Sequence, residues 1–371
     1  MNRPHRSWNR RVRGRCWCAL LATILAMPAP RSAAQNPPDN AGQDESPAPK
    51  DDAQAADATE WTEELTPAAR SAIERGLAWL AEQQQPDGSY GSGSQYGRHV
   101  GITALAGLAF LSDGSVPGRG RYHRQLEKSL AFVLDATAEE SGLITAETSY
   151  GPMYGHGFAT LFLAEVYGMS PRDDLREKLR KAIRLIVRTQ NDEGGWRYHP
   201  VKADADISVT ICQVMALRAA RNGGIAIPKD TIDRAVSYVR RCQNPDGGFR
   251  YMLDSTGSMF PRSAAGVATL YYAGVYKGPA VRNGLAYLLE YLPGDGRALG
   301  HYFYGQYYAT QAMYLAGGDY WRQWWPAVRD DLIAKQAADG SWRGEAGHEY
   351  GAAMALIVLQ IPNRLLPIFQ K

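Results

Sequence analysis

Four titratable residues share one phase of a repeating pattern. His99, His156 and Asp206 each stand four residues before a threonine: Thr103, Thr160 and Thr210. His348 stands four residues before Ala352 in the last copy. The fifth copy offers His301, Tyr304 and Gln306 nearby, and the fourth offers Arg262 and Ser263. Tyr96, Tyr150, Tyr154, Tyr198, Tyr251, Tyr302 and Tyr350 crowd the same stretches. Equivalent positions of a closed repeat array converge on one place. We therefore expect a concave, aromatic-lined pocket holding a few titratable groups, the usual form of a small-molecule site. His and Asp are residue types that move protons near neutral pH. Each also has a plain structural use: a His can cap a helix or bond a backbone carbonyl, and Asp is a favoured N-cap.

Other chemistries find less support. No Cys/His cluster has zinc spacing, and we expect no cofactor and no metal. A metal set of His99, His156, Asp206 and His348 is the one geometric possibility. There is no Gly-x-Ser-x-Gly elbow and no Walker-type phosphate loop. The stretch from Gly114 to Gly120 is only a Gly-rich loop. No basic-aromatic stripe of the kind that binds nucleic acid is present. The cluster Tyr320, Trp321, Trp324 and Trp325 is expected on an outer helix, either packed inward or touching a membrane or partner.

The elements that position these residues repeat about every fifty residues. A basic and a small residue, an apolar pair, then Gln, a Gly turn and an aromatic recur. The Gln residues are Gln84, Gln190, Gln243 and Gln336; the aromatics are Tyr90, Trp196, Phe249 and Trp342. Degenerate copies run from Lys128 to Ile144 and from Arg282 to Gly296. Gly88, Gly142, Gly195, Gly248, Gly296 and Gly340 serve as the reference turn glycines. Each copy begins with a helical stretch carrying an apolar stripe, such as Ile73, Leu77 and Leu80. A second helix then follows that is small and apolar nearly all round, as in residues 101–111 and 351–356. Such a helix is buried on every side. Six pairs give an all-α fold of about twelve helices, an outer ring around an inner ring, closed without end repeats.

The Gln, Gly and aromatic pattern resembles the QW repeat of terpenoid cyclases and of protein prenyltransferase β subunits. The likeness covers residues 61–371 and implies an (α/α)6 toroid. It implies that Gln and aromatic tie the end of an outer helix to the start of the next inner helix. The Asp204-Ala205-Asp206 run is similar to the Asp-x-Asp-Asp motif of class II terpene cyclases, with Ile207 at its last position. That match implies Asp206 as the initiating acid, Asp204 as its supporting neighbour, and His156 or His99 as an assisting residue. His348, Tyr154, His301, Tyr304 and Arg262 complete the expected ligand site. The zinc of prenyltransferases is not implied, because neither Cys212 nor Cys242 has an Asp two residues before it.

The first sixty residues read differently. Arg3 to Arg15, an apolar stretch from Cys16 to Met27 and a small-residue run ending at Ala34 form the pattern of a signal peptide. Arg10-Arg11 leaves a twin-arginine signal open. Residues 35–60 read as a flexible acidic linker. We thus expect an exported protein, periplasmic or secreted. Of the net charge of +3, the leader carries seven Arg and no acid, and the linker seven acids and one Lys. The remaining chain is nearly neutral, at +2. Cys212 and Cys242 are expected as buried small residues unless the fold pairs them.

Two functions fit. One is a non-catalytic exported protein that binds an apolar or extended lipid or glycan ligand in its cavity, the reading favoured by Ile207 and the missing zinc ligands. The other is an enzyme with Asp206 as general acid, in a cyclase-like reaction or on glycans.

Overall fold

The computed structural model describes residues 64–147, 151–170, 172–294, 297 and 299–370. The expected leader, the linker, Tyr150 and Gly296 lie outside the described residues. Among the described residues twelve α-helices follow in order: α1 Pro67–Glu82, α2 Val100–Ser112, α3 His123–Asp135, α4 Met153–Val166, α5 Asp173–Thr189 and α6 Ile207–Asn222. Then come α7 Lys229–Arg241, α8 Phe260–Tyr272, α9 Pro279–Leu289, α10 Tyr302–Ala316, α11 Gly318–Ala334 and α12 His348–Leu359. Two short 3₁₀ turns, Ile361–Asn363 and Pro367–Phe369, end the described chain. None of these helices is long and apolar enough to cross a membrane.

Odd-numbered helices are outer and even-numbered helices inner. Helix α5 shows the outer type: Leu175, Leu179, Ile183 and Ile186 form one buried stripe, and Asp173, Asp174 and Arg188 sit at the ends that suit the helix dipole. Helix α2 shows the inner type, with every residue from Val100 to Ser112 buried. Each inner helix packs on the next, and α12 packs on α2, so the ring closes. This is the expected all-α (α/α)6 arrangement.

The repeat signature makes the joints. Gln190 Nε2 donates to Gly194 O and Thr231 O, both at 2.8 Å. Gln84, Gln243 and Gln336 do the same at their own turns, reaching Gln125 O, Ala280 O and Ala72 O. The second acceptor in each case lies at the start of the next outer helix, not of the inner helix. That corrects the expected role of the Gln. The aromatic does reach inward: Trp196 Nε1 donates to Ile186 O of α5, and its N–H donates to Thr210 Oγ1 of α6. The turn glycines are Gly88, Gly142, Gly194, Gly247, Gly294 and Gly340, all at positive φ. Gly195 and Gly248 are the residues after the turn, and they lack that conformation. At Gly194 a Cβ would lie 2.3 Å from Arg234 O, so the next outer helix demands glycine as much as the turn does. Gly340 meets Arg75 O in the same way, sealing the last repeat to the first.

The tryptophan cluster packs inward and is not a membrane-facing surface. Trp321, Trp324 and Trp325 are buried, and Trp325 Nε1 donates to Glu64 O. The far end of the ring is filled by the C-terminal segment: Gln360 and Asn363 side chains donate to Ala109 O and Ser112 O. Ile368 N donates to the buried Glu165, whose carboxyl burial pushes up to about 8. Cys212 and Cys242 are both buried and unpaired.

Candidate active site

The N-terminal ends of the inner helices surround a cavity of about 620 Å³. Its wall is largely apolar and aromatic. Ile102 and Leu105 of α2, Tyr154 and Phe158 of α4, Tyr304 of α10 and Tyr350 of α12 face it. Tyr96, Tyr198, Tyr251 and Met259 enter from the loops. The titratable groups in the wall, besides tyrosines, are His99, Arg262, His301 and Glu345. This volume lies within the range of about 300–1,000 Å³ typical of small-molecule sites.

The expected ligand residues fall unevenly. Tyr154, Arg262, His301 and Tyr304 line the cavity. Tyr304 Oη donates to Ser208 O at 2.9 Å. Arg262 Nη2 donates to Gly257 O, while its Nε is buried without a partner, and desolvation lowers the guanidinium pKa. His301 takes a left-handed conformation, φ 53°, at the start of α10. His348 is not in the wall. It is exposed, beside Ser341 and with its ring 6.4 Å from that of Trp79. Tyr302 also leaves the site and donates to Asp331 of α11.

The two histidines of the shared phase diverge. His99 lines the cavity and caps α2, its Nδ1 accepting from Gly101 N at 3.1 Å. The ring proton therefore sits on Nε2, and burial lowers the pKa to about 4, so His99 is neutral near pH 7. His156 is fully buried behind the wall. Its Nδ1 accepts from Ile144 N at 3.1 Å, and its Nε2 faces Ala182 O at 3.3 Å. In the first, third and fourth repeats a Thr or Ser hydroxyl takes the matching N–H: Thr103 for Tyr90, Thr210 for Trp196 and Ser263 for Phe249. His156 fills that role in the second repeat, so it is a joint residue with no free nitrogen for catalysis. The metal set fails on the same geometry. Among the described residues no three His, Cys, Asp or Glu side chains come together as metal ligands.

Asp206 has the most unusual setting. It is 0% exposed and caps α6, with Oδ1 accepting from Val209 N at 2.8 Å. Its other oxygen, Oδ2, takes no full hydrogen bond. Arg197 Nε lies 3.7 Å from it and the Tyr251 hydroxyl stands close by. Burial raises the Asp206 pKa to about 6, against the opposing pull of Val209 N–H, Tyr251 and Arg197. Asp206 itself does not line the cavity, but Tyr251 does, and Tyr251 Oη is hydrogen-bonded to Tyr198 Oη, also in the wall. A carboxyl able to hold a proton is thus one tyrosine away from the ligand space. Asp204 lies outside the wall, with its side chain 48% exposed and paired with Arg197 Nη1. Arg197 is a residue that sequence reasoning missed, as is Glu345 of the wall. The sequence signal of Arg197 is its place directly after the repeat aromatic Trp196.

Residues 63–289 match the family model of the prenyltransferase alpha-alpha toroid domain. The drimenyl diphosphate synthase of Streptomyces showdoensis is 26% identical over 196 residues, 51% of this chain and 34% of that protein. The chain thus spans about a third of that relative's length. Among solved structures, the type II terpene cyclase MstE from Scytonema is similar, with TM-score 0.56 and 15% identity. That match covers 81% of this chain and 100% of the other. The cellobiose 2-epimerase from Spirochaeta thermophila gives TM-score 0.58 at 12% identity, covering 80% and 98%. At these identities both likenesses concern the fold. The family model spans well over half of the sequence, and on that ground this chain belongs to the prenyltransferase alpha-alpha toroid domain family.

Proposed function

We propose that the protein is an enzyme that protonates an extended, apolar isoprenoid in its central cavity and so initiates a cyclisation. The observation that carries this reading is Asp206: a fully buried carboxyl with one unbonded oxygen, next to a tyrosine of the cavity wall. Alkene protonation needs a carboxylic acid shielded from water; burial shields Asp206 and raises its pKa to about 6, so its protonated form grows as pH falls below 7. In this reading the proton passes from Asp206 Oδ2 to Tyr251 Oη as the Tyr251 proton moves to the substrate carbon. Val209 N–H and Arg197 then stabilise the carboxylate. The aromatic wall suits a cationic intermediate, because ring faces attract positive charge.

The comparisons support the same direction. The curated relative is named for drimenyl diphosphate, and a variant of MstE was solved with geranylgeranyl dihydroxybenzoate as substrate. The epimerase likeness is weaker support, since a wall of Ile102, Leu105, Phe158 and Met259 offers a sugar few hydrogen bonds. A binding protein without chemistry was the first expectation from Ile207. It fits less well, because a pure binder gains nothing from a desolvated carboxyl with an unbonded oxygen.

The test is incubation of the purified protein with farnesyl diphosphate, geranylgeranyl diphosphate and geranylgeranyl dihydroxybenzoate, with products read by gas chromatography and mass spectrometry. A cyclised product is expected from the wild type. It should be lost in Asp206→Asn and reduced by about 100-fold or more in Tyr251→Phe. Full activity in Asp206→Asn would refute the reading.

A further inference from the structure

One charged group in the cavity wall has no part in the protonation. Glu345 is the only carboxylate in that wall among the described residues. It stands in the turn from Gly344 to Gly347, which Gly347 N closes on Gly344 O at 3.2 Å. Glycines let this turn press onto the first residues of α12. A Cβ on Gly351 would lie 2.7 Å from Gly344 N, and one on Gly344 would lie 2.8 Å from Gly351 Cα. The close approach brings Glu345 to Tyr350 of α12, whose Oη donates to Glu345 Oε1 at 3.4 Å. That bond is long for two oxygens, and such bonds tighten when a ligand fills a site. Tyr350 also lines the wall. Burial, with the Glu345 charge beside it, pushes the Tyr350 hydroxyl far up and keeps it neutral.

This pair stands across the cavity from the acid. The inner helices contact one another in the order α2, α4, α6, α8, α10, α12 and back to α2. Asp206 caps α6, and α12 is three helices away in either direction. Positive charge that starts beside Tyr251 and moves along a folded polyene is drawn towards the one anion of the wall. We propose that Tyr350 and Glu345 together are the base that ends the reaction, taking a proton from the final carbocation. The proposal rests on protonation by Asp206 and adds the second half of the cycle.

The step balances without a co-reactant. The C–H bond beside the cationic carbon breaks, and its electron pair becomes the second bond of a new alkene. The proton goes to Tyr350 Oη as the Tyr350 proton passes to Glu345 Oε1. Glu345 is exposed as well as in the wall, so it gives that proton to water. One proton enters and one leaves, and the cyclisation is an isomerisation. The other polar groups of the wall are less suited. His99 spends its Nδ1 on the α2 cap. The Tyr304 proton is held by Ser208 O, a backbone carbonyl that cannot keep it. Arg262 repels a cation, and His301 has no negative charge to attract one.

The experiment compares two probes and then the product. Farnesyl dimethylamine carries an ammonium charge near pH 7 and stands in for the carbocation; farnesol is its neutral counterpart. Wild-type protein should bind the amine more tightly by isothermal titration calorimetry. In Glu345→Gln the ratio of the two affinities should fall about 10-fold. A loss of packing alone would weaken both probes and leave the ratio. With the isoprenoid substrates named above, the wild type should form a cyclised alkene. Glu345→Gln and Tyr350→Phe should form a cyclised alcohol instead, heavier by one water, because water then captures the cation. An unchanged ratio, an alcohol from the wild type, or the same alkene from Glu345→Gln would overturn this role and leave the acid standing. So would finding these shifts in His301→Gln in place of Glu345→Gln. A wild type that forms no cyclised product would overturn both.

Discussion

Asp206→Asn keeps the α6 cap, since Asn caps as well as Asp, and removes the titrating proton. The effect of that proton on stability can be worked from the site. In the unfolded chain the carboxyl titrates near its ordinary value of 3.8; in the folded protein burial raises it to about 6. Below pH 3.8 both states hold the proton, and folding gains its full contribution. Between 3.8 and about 6 only the folded state holds it, so stability falls as pH rises. Above about 6 the folded protein carries an ionised buried carboxylate and the contribution is gone. At about 1.36 kcal/mol per pH unit, the loss is roughly 3 kcal/mol. The Asn variant has no such term. Urea unfolding of both proteins, followed by far-UV circular dichroism from about pH 4 to pH 8, isolates it. The variant should gain on the wild type by roughly 3 kcal/mol across that range, with other groups cancelling in the difference. A flat difference would show that Asp206 is not a raised-pKa acid and would refute the reasoning.

His156 should act in the opposite sense. Its folded pKa is about 4 against an ordinary 6.5, so its contribution is present above 6.5 and lost as pH falls towards about 4. That loss is roughly 3 kcal/mol, and the His156→Gln variant should lack this slope in the same unfolding series. Gln190→Ala removes two 2.8 Å bonds, one within its own turn and one to the next repeat. It should cost roughly 1–3 kcal/mol by urea unfolding. Gly224→Ala, where nothing lies within 4 Å, should cost only the left-handed strain of about 1–2 kcal/mol. Gly194→Ala should cost about 1–3 kcal/mol more, because its Cβ meets Arg234 O.

The fold was legible because its signals repeat. Inner helices such as residues 101–111 are apolar all round, and only a doubly enclosed layer buries such a helix. The Gln and Gly positions were also legible, but not their partners, since Gln190 reaches an outer helix forty-one residues on. The site was read in part. Phase alone grouped His99, His156, Asp206 and His348, but the helices start at different points of that phase: His99 and Asp206 are N-caps, whereas His348 is the first residue of its helix and His156 the fourth. His348 begins its helix beyond a Gly347 cap, and its side chain turns away from the cavity. His156 lies inside α4, where the ring can reach Ile144 N. Arg197 was not legible, because its importance comes from a 3.7 Å approach between loops rather than from any spacing in the chain.

The most direct test of the central claim, that Asp206 delivers a proton to the ligand through the cavity wall, is the mass of the product formed in D₂O. Geranylgeranyl diphosphate and farnesyl diphosphate are incubated with wild-type protein pre-equilibrated in D₂O, and the cyclised product is weighed by mass spectrometry. One carbon-bound deuterium per product molecule is expected, with no product from Asp206→Asn. A cyclised product without deuterium, or one formed equally well by Asp206→Asn, would contradict the account.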